Sequence, residues 1–131
     1  MPFPLAESYI LAAERTLGAA LPLKYRAAMA RSNGGEVEAE YDVWQLHPIE
    51  DRSDRKRLAR SANHVLRETE QARKWAGFPA DAIAIASNGT GDLLVLRQQE
   101  DAFVDTVYLW SHENGKAVLV AESIDEITLS Q

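Results

Sequence analysis

The segment Ile83 to Leu96 constrains this chain more than any other. Two apolar runs, Ile83-Ala84-Ile85-Ala86 and Leu93-Leu94-Val95-Leu96, flank Ser87-Asn88-Gly89-Thr90-Gly91-Asp92. Apolar runs of that length, bounded by turn residues, read as strands. The pattern predicts a β-hairpin with both arms largely buried and a glycine-shaped loop at its tip. Gly89 and Gly91 permit positive φ, and the side chains of Asn88 and Asp92 are suited to bond backbone N–H groups and fix the loop.

Upstream, Ala6, Tyr9, Ile10, Ala13 and Leu17 recur at three- and four-residue steps and predict a helix over 6–17, closed by Gly18. Pro22 suits the start of a second helix, whose one face carries Tyr25, Ala28, Met29 and Ser32. Asn33-Gly34-Gly35 should end it in a left-handed conformation. Val37, Ala39, Tyr41 and Val43 alternate with Glu36, Glu38, Glu40 and Asp42, which predicts a strand with one wet face. Trp44 and Leu46 break that alternation, so a bend, bulge or new strand is expected at that point. A helical stripe runs through Leu58, Ala62, Val65, Leu66, Thr69, Ala72 and Ala76, and one sequence does not decide between one helix and two.

Arg97 to Ala102 reads as a polar connection. A strand follows through Val107-Tyr108-Leu109-Trp110, then a turn with an Asn114-Gly115 signal and a return arm over 117–121. Ser123 and Glu126 have the spacing of a capping box, and Ile124, Ile127 and Leu129 would dock a last helix. The sum is α+β: a mostly antiparallel sheet with helices packed on one face.

At 131 residues the chain is read as a single domain, 1–131, with enough mass to bury a core unaided. Cysteine is absent, which excludes disulfides and thiolate metal sites. The first residues show no signal-peptide pattern and no run approaches a membrane span, so the expected location is the cytoplasm, away from membranes. The formal charge is −6, divided as −4 over 1–51, +5 over 52–74 and −7 over 75–131. The acidic C-terminal half disfavours nucleic acid as a partner and favours basic ones.

Four groups of residues, in this order, resemble the SUKH superfamily, founded on the Smi/Knr regulators of fungal cell-wall assembly. They are Leu21-Pro22-Leu23-Lys24-Tyr25 with Asn33-Gly34-Gly35; Ile83 to Ala86 with Asn88-Gly89-Thr90-Gly91-Asp92; Val107 to Glu113; and Val120 to Glu126. The resemblance spans about residues 6–128 and implies an α+β domain without established catalytic residues. It implies Leu21, Pro22, Tyr25, Asn33, Gly34, Gly35, Asn88, Gly89, Gly91 and Asp92 as structural motif positions. Many bacterial members look like immunity proteins that neutralise a cognate toxin, often a nuclease. Other relatives are regulatory or scaffolding binders, and the target is left open.

The residues themselves argue against assembled chemistry. The Asn88–Asp92 loop lacks the third glycine and following helix of a dinucleotide site and the lysine of a Walker loop. Nor does it have the acidic pattern of an EF-hand. His47, His64 and His112 are scattered without zinc-ligand spacing, and no GxSxG elbow occurs. His64 and Glu68 read as an exposed pair one helical turn apart. Asp101 and Asp105 read as solvated carboxylates. The basic run Arg52, Arg55, Lys56, Arg57 and Arg60 reads as a solvated helix face, and Trp75 as a core residue at a helix end.

No catalytic, metal or cofactor-binding residue is therefore expected. The expected function is non-enzymatic binding of a cognate toxin or other protein. The alternative is a regulatory or small-molecule-sensing domain linked to cell-wall assembly, which requires a deep apolar pocket. A third reading, an enzyme using Asp92, His112 and Glu113, requires those side chains to converge. The candidate partner-binding residues are Trp44, Trp110, His112 and Glu113, the tryptophans only if they are exposed on the sheet.

Overall fold

A computed structural model describes residues 2–128. Helices α1 (Glu7–Leu17) and α2 (Leu23–Arg31) lead into strands β1 (Gly35–Ala39) and β2 (Asp42–Leu46). Helices α3 (Arg55–Arg60) and α4 (Val65–Ala72) follow, then β3 (Ala82–Ser87), β4 (Leu93–Gln99), β5 (Ala102–Trp110), β6 (Ala117–Ala121) and α5 (Asp125–Thr128). The strands form one antiparallel sheet in the order β1-β2-β3-β4-β5-β6. The fold is α+β, as the pattern predicted.

The larger core lies between the sheet and the helices. Ile10 of α1, Tyr25 and Met29 of α2, Val65 of α4, and Ile124 and Ile127 around α5 join Val37, Trp44, Ile83, Ile85, Leu94 and Leu96 in it. A smaller cluster of Ala82, Val95 and Trp110 is backed by Phe78, edge-on to Trp110 at 5.2 Å, and the Trp110 indole N–H donates to the Gly77 carbonyl. The β3–β4 hairpin stands where the sequence put it. One bulge at Ile85 separates the Ala84↔Val95 and Ala86↔Leu94 pairs, and the buried Thr69 hydroxyl accepts the Ala84 N–H at 2.9 Å. A buried backbone donor without a ladder acceptor needs such a partner.

Helix α1 ends at Gly18 as expected. Helix α2 does not end through Asn33: its C-cap, Ser32, is extended. The Asn33 amide instead grips the backbone of Ile49, donating to its carbonyl and accepting its N–H, both at 2.8 Å. The 52–76 stripe is two helices. The Asp54 carboxylate accepts the Arg57 N–H to start α3, and His64 Nδ1 accepts the Arg67 N–H to start α4. Helix α3 buries nothing, and its cations gather on one ring, with Lys56, Arg57 and Arg60 lying 5.7, 4.5 and 5.0 Å from the Phe3 centroid.

Three further expectations are corrected. The predicted strand through Val43 is a hairpin that turns at Glu40-Tyr41, both at positive φ (51° and 62°). The polar connection after Arg97 is strand up to Gln99, and Glu100 turns the chain at φ 57°. Glu126 reaches back to the backbone N–H of Glu122 rather than to that of Ser123. Ile124 and Ile127 are buried as docking residues, and Leu129 lies outside the described residues.

Candidate protein-binding face and an apolar cleft

Antiparallel pairing brings the end of β1, the start of β2, the end of β3, the start of β4, the end of β5 and the start of β6 to one end of the sheet. That end carries three loops: the Glu40-Tyr41 turn, the Asn88–Asp92 loop and the Ser111–Lys116 turn. Side chains tie them together. Asn88 Nδ2 donates to Asp42 Oδ2 at 2.8 Å. Asn88 Oδ1 also accepts from the Thr90 N–H and hydroxyl, which fixes its own loop. Across the sheet, Asp92 Oδ1 accepts both the His112 N–H at 3.2 Å and its Nδ1–H at 2.7 Å. Trp75 stands edge-on to the His112 ring at 5.9 Å.

The His112 clamp explains one glycine. Gly91 has φ 104°, and a Cβ there would sit 3.0 Å from the imidazole. Strain and contact both exclude a side chain at this position. The Ser111–Lys116 turn is held in the same way from behind, because a Cβ on Gly77 would meet the Gly115 Cα at 3.0 Å.

The expected anchors are placed differently. Trp44 is 1% exposed and Trp110 0%, so both belong to cores and neither is offered to a partner. His112 is half-buried in its clamp, and Glu113 is exposed in the turn. Two other aromatics take the surface. Tyr41 at the hairpin tip is 108% exposed, and Trp75, expected in the core, is 52% exposed. Near them in sequence or in the sheet lie exposed Glu38, Glu40, Asp42 and Glu113 and half-buried Asp92, with Arg73, Lys74 and Lys116 the nearby cations in sequence. Tyr41 was missed because unbroken alternation places it on the dry side. The signal that finds it is a parity change: Val37 and Ala39 are buried at odd positions, Trp44 and Leu46 at even ones. A two-residue turn between them produces that switch.

Asp92 and His112 converge, but Glu113 does not join them; it is exposed, and its N–H donates to the Ser111 hydroxyl. Asp101 and Asp105 are exposed on either side of Phe103. His64 does not pair with Glu68. Its Nε2 lies 3.6 Å from Glu50, and Glu68 lies 3.9 Å from buried His47. Among the described residues no grouping of histidine and carboxylate side chains is placed to hold a metal ion. No helix among them is long and apolar enough to cross a membrane.

His47 joins the two hairpins. Pairing between β2 and β3 is short, Gln45↔Ser87 and Leu46↔Ala86. It continues through His47, whose backbone N–H donates to the Ile85 carbonyl at 2.7 Å. Its Nδ1–H donates to the Ala84 carbonyl at 2.9 Å. Burial lowers its pKa below the usual 6.5, against the opposing pull of that carbonyl and of Glu68.

Two of the remaining motif positions, Leu21 and Tyr25, line a cleft on the helical side. A cavity of about 380 Å³ opens between α1 and the start of α4, with Leu21, Tyr25 and Ile49 among its walls. Arg26 holds α1 to α2, bonding Glu7 at 3.0 Å and lying 3.7 Å from Glu14. Glu14 in turn accepts the Leu21 N–H at 2.7 Å. Tyr25 is 1% exposed, and its hydroxyl has no hydrogen-bond partner among the described residues. Burial raises its pKa, so the phenol stays protonated at neutral pH. An unpaired buried hydroxyl costs about 1–3 kcal/mol.

With the geometry in place, comparison with known families is informative. The sequence matches the SMI1/KNR4 family (SUKH-1) over residues 4–129. The chain belongs to that family. No curated protein and no solved structure matches it. The Leu21–Tyr25, Asn33–Gly35 and Asn88–Asp92 groups that first resembled the SUKH superfamily all lie within the matched span. In this SMI1/KNR4 member they occupy the α2 start, the β1 entry and the β3–β4 loop.

Proposed function

We propose that this protein is a non-enzymatic binding module that acts in the cytoplasm as an immunity protein, neutralising a cognate bacterial toxin of the nuclease class. The observation that carries the reading is the loop-bearing end of the sheet, where exposed Tyr41 stands between Glu40 and Asp42 and exposed Trp75 packs on His112, next to Glu113 in the chain. Surfaces that grip nucleic-acid phosphates are basic. An acidic face with aromatic anchors complements such a surface in charge and supplies the residue types that dominate interface energies. Membership of the SMI1/KNR4 family supports the same reading, because many bacterial SUKH relatives look like immunity proteins.

The binding mode follows from the face. Acidic groups raise the encounter rate with a basic toxin, and Tyr41, held outward at the tip, enters a pocket on the partner. No bond is made or broken. The test is co-expression with the products of the neighbouring genes, scored for killing and its suppression. Restored growth and co-purification of the two chains are expected, and killing at the same rate with no co-purification would overturn the proposal.

A further inference from the structure

The cleft between α1 and α4 has features that packing alone does not account for. On α1 the cleft is lined by Tyr9 and Leu17 and, between and beside them, by Ser8, Ala12, Ala13 and Thr16, four small residues that leave the space open. The volume, about 380 Å³, lies within the range of small-molecule sites, roughly 300–1,000 Å³. Most of the wall is apolar. Tyr25 is the most buried residue lining it, and its hydroxyl has a proton to donate and no acceptor among the described residues.

Charges at the cleft satisfy one another. Glu50 is held by Arg52 Nε at 2.9 Å on one oxygen and faces His64 Nε2 at 3.6 Å from the other. His64 Nδ1 is occupied as the cap of α4, so its ring proton sits on Nε2, toward Glu50. Little net charge is left to recognise an ion, and a charged ligand end beside Tyr25 would be desolvated without a counter-charge.

We propose that this cleft is a binding site for a small uncharged molecule with an apolar body and a hydrogen-bond acceptor that the Tyr25 hydroxyl engages. The apolar body lies along the small-residue face of α1 and against Leu17, Leu21 and Leu66. The site is on the helical side, away from the loop-bearing end of the sheet, and does not depend on the toxin-binding reading.

The probe is prodan, a propionyl-dimethylaminonaphthalene whose emission moves to the blue in apolar surroundings. Its counterpart is dimethylaminonaphthalene, which lacks the carbonyl acceptor. Titration of the full chain should give saturable one-to-one binding of prodan with a blue shift. Ala12→Phe, which fills the cleft, should weaken it at least tenfold. Thr16→Trp, at an exposed position on its edge, should do the same with less demand on folding. Tyr25→Phe should weaken prodan about tenfold and leave dimethylaminonaphthalene unchanged, a split that a purely structural role for the phenol does not produce. Absence of saturable binding, or binding indifferent to both Ala12→Phe and Thr16→Trp, overturns the site. Equal effects of Tyr25→Phe on the two probes overturn the acceptor assignment.

Discussion

The Glu40-Tyr41 turn and the Asn88–Asp92 loop close neighbouring hairpins at the same end of the sheet, and they are built from opposite materials. The second uses glycine where the backbone enters positive φ, at Gly89 and Gly91, and spends its side chains on fixing the loop. The first places two side-chain-bearing residues in that same region, although left-handed backbone costs an L-residue about 1–2 kcal/mol. Asn-Gly would serve a two-residue hairpin better. The difference teaches that one loop is shaped to hold the sheet end together, while the other tolerates strain and projects Tyr41 fully into solvent.

The largest effect that separates the loops is expected at Gly91. Gly91→Val combines positive-φ strain with a collision on His112 and should lower unfolding free energy by about 3 kcal/mol in a urea titration. At Gly89 a Cβ would meet nothing within 4 Å, so Gly89→Val carries the strain alone, about 1–2 kcal/mol. Equal costs at the two positions would remove the His112 clamp from the account. The reverse exchange sharpens the comparison. Replacing Glu40-Tyr41 by Asn-Gly should stabilise the fold by about 1 kcal/mol and yet weaken partner binding at least as much as loss of the Tyr41 side chain alone. A destabilised Asn-Gly variant would break the claim of strain.

A smaller effect tests the joint between the two hairpins. Burial holds the His47 pKa below its unfolded value of about 6.5, so the unfolded chain takes up the proton first as pH falls. The stability linked to His47 is therefore complete above about pH 6.5 and declines as pH falls toward the folded pKa. His47→Asn, which keeps a donor near the Ala84 carbonyl and cannot titrate, should flatten thermal stability between about pH 6.5 and 5 relative to the parent chain. Identical slopes would remove His47 from the pH dependence.

What the sequence disclosed follows the same division. Glycine and asparagine announce their loops, so the β3–β4 hairpin, the Gly18 cap and the Asn114-Gly115 turn were legible from residue type alone. Glu40-Tyr41 announces nothing, because neither residue favours positive φ. Only the shift of burial from Val37 and Ala39 to Trp44 and Leu46 betrays the turn. Asn33 misled for a related reason: its affinity for helix ends is general, whereas its grip on Ile49 depends on a segment far along the chain. The tryptophans were hard to place because tryptophan is both a core filler and an interface residue. Trp44 and Trp110 are buried and Trp75 is exposed, a choice made by the sheet and not by local pattern. The cleft was not legible at all, since small residues on α1 mean open space only once α4 has been placed beside it.

The central claim is that the strained tip exists to present Tyr41 to a basic protein partner. Titration calorimetry of the parent chain and Tyr41→Ala against the toxin that the chain neutralises on co-expression tests it directly. The account predicts an unchanged melting temperature and an affinity reduced about 30-fold, equivalent to a loss of about 2 kcal/mol. An unchanged affinity, with the toxin still bound and neutralised by Tyr41→Ala, would contradict it.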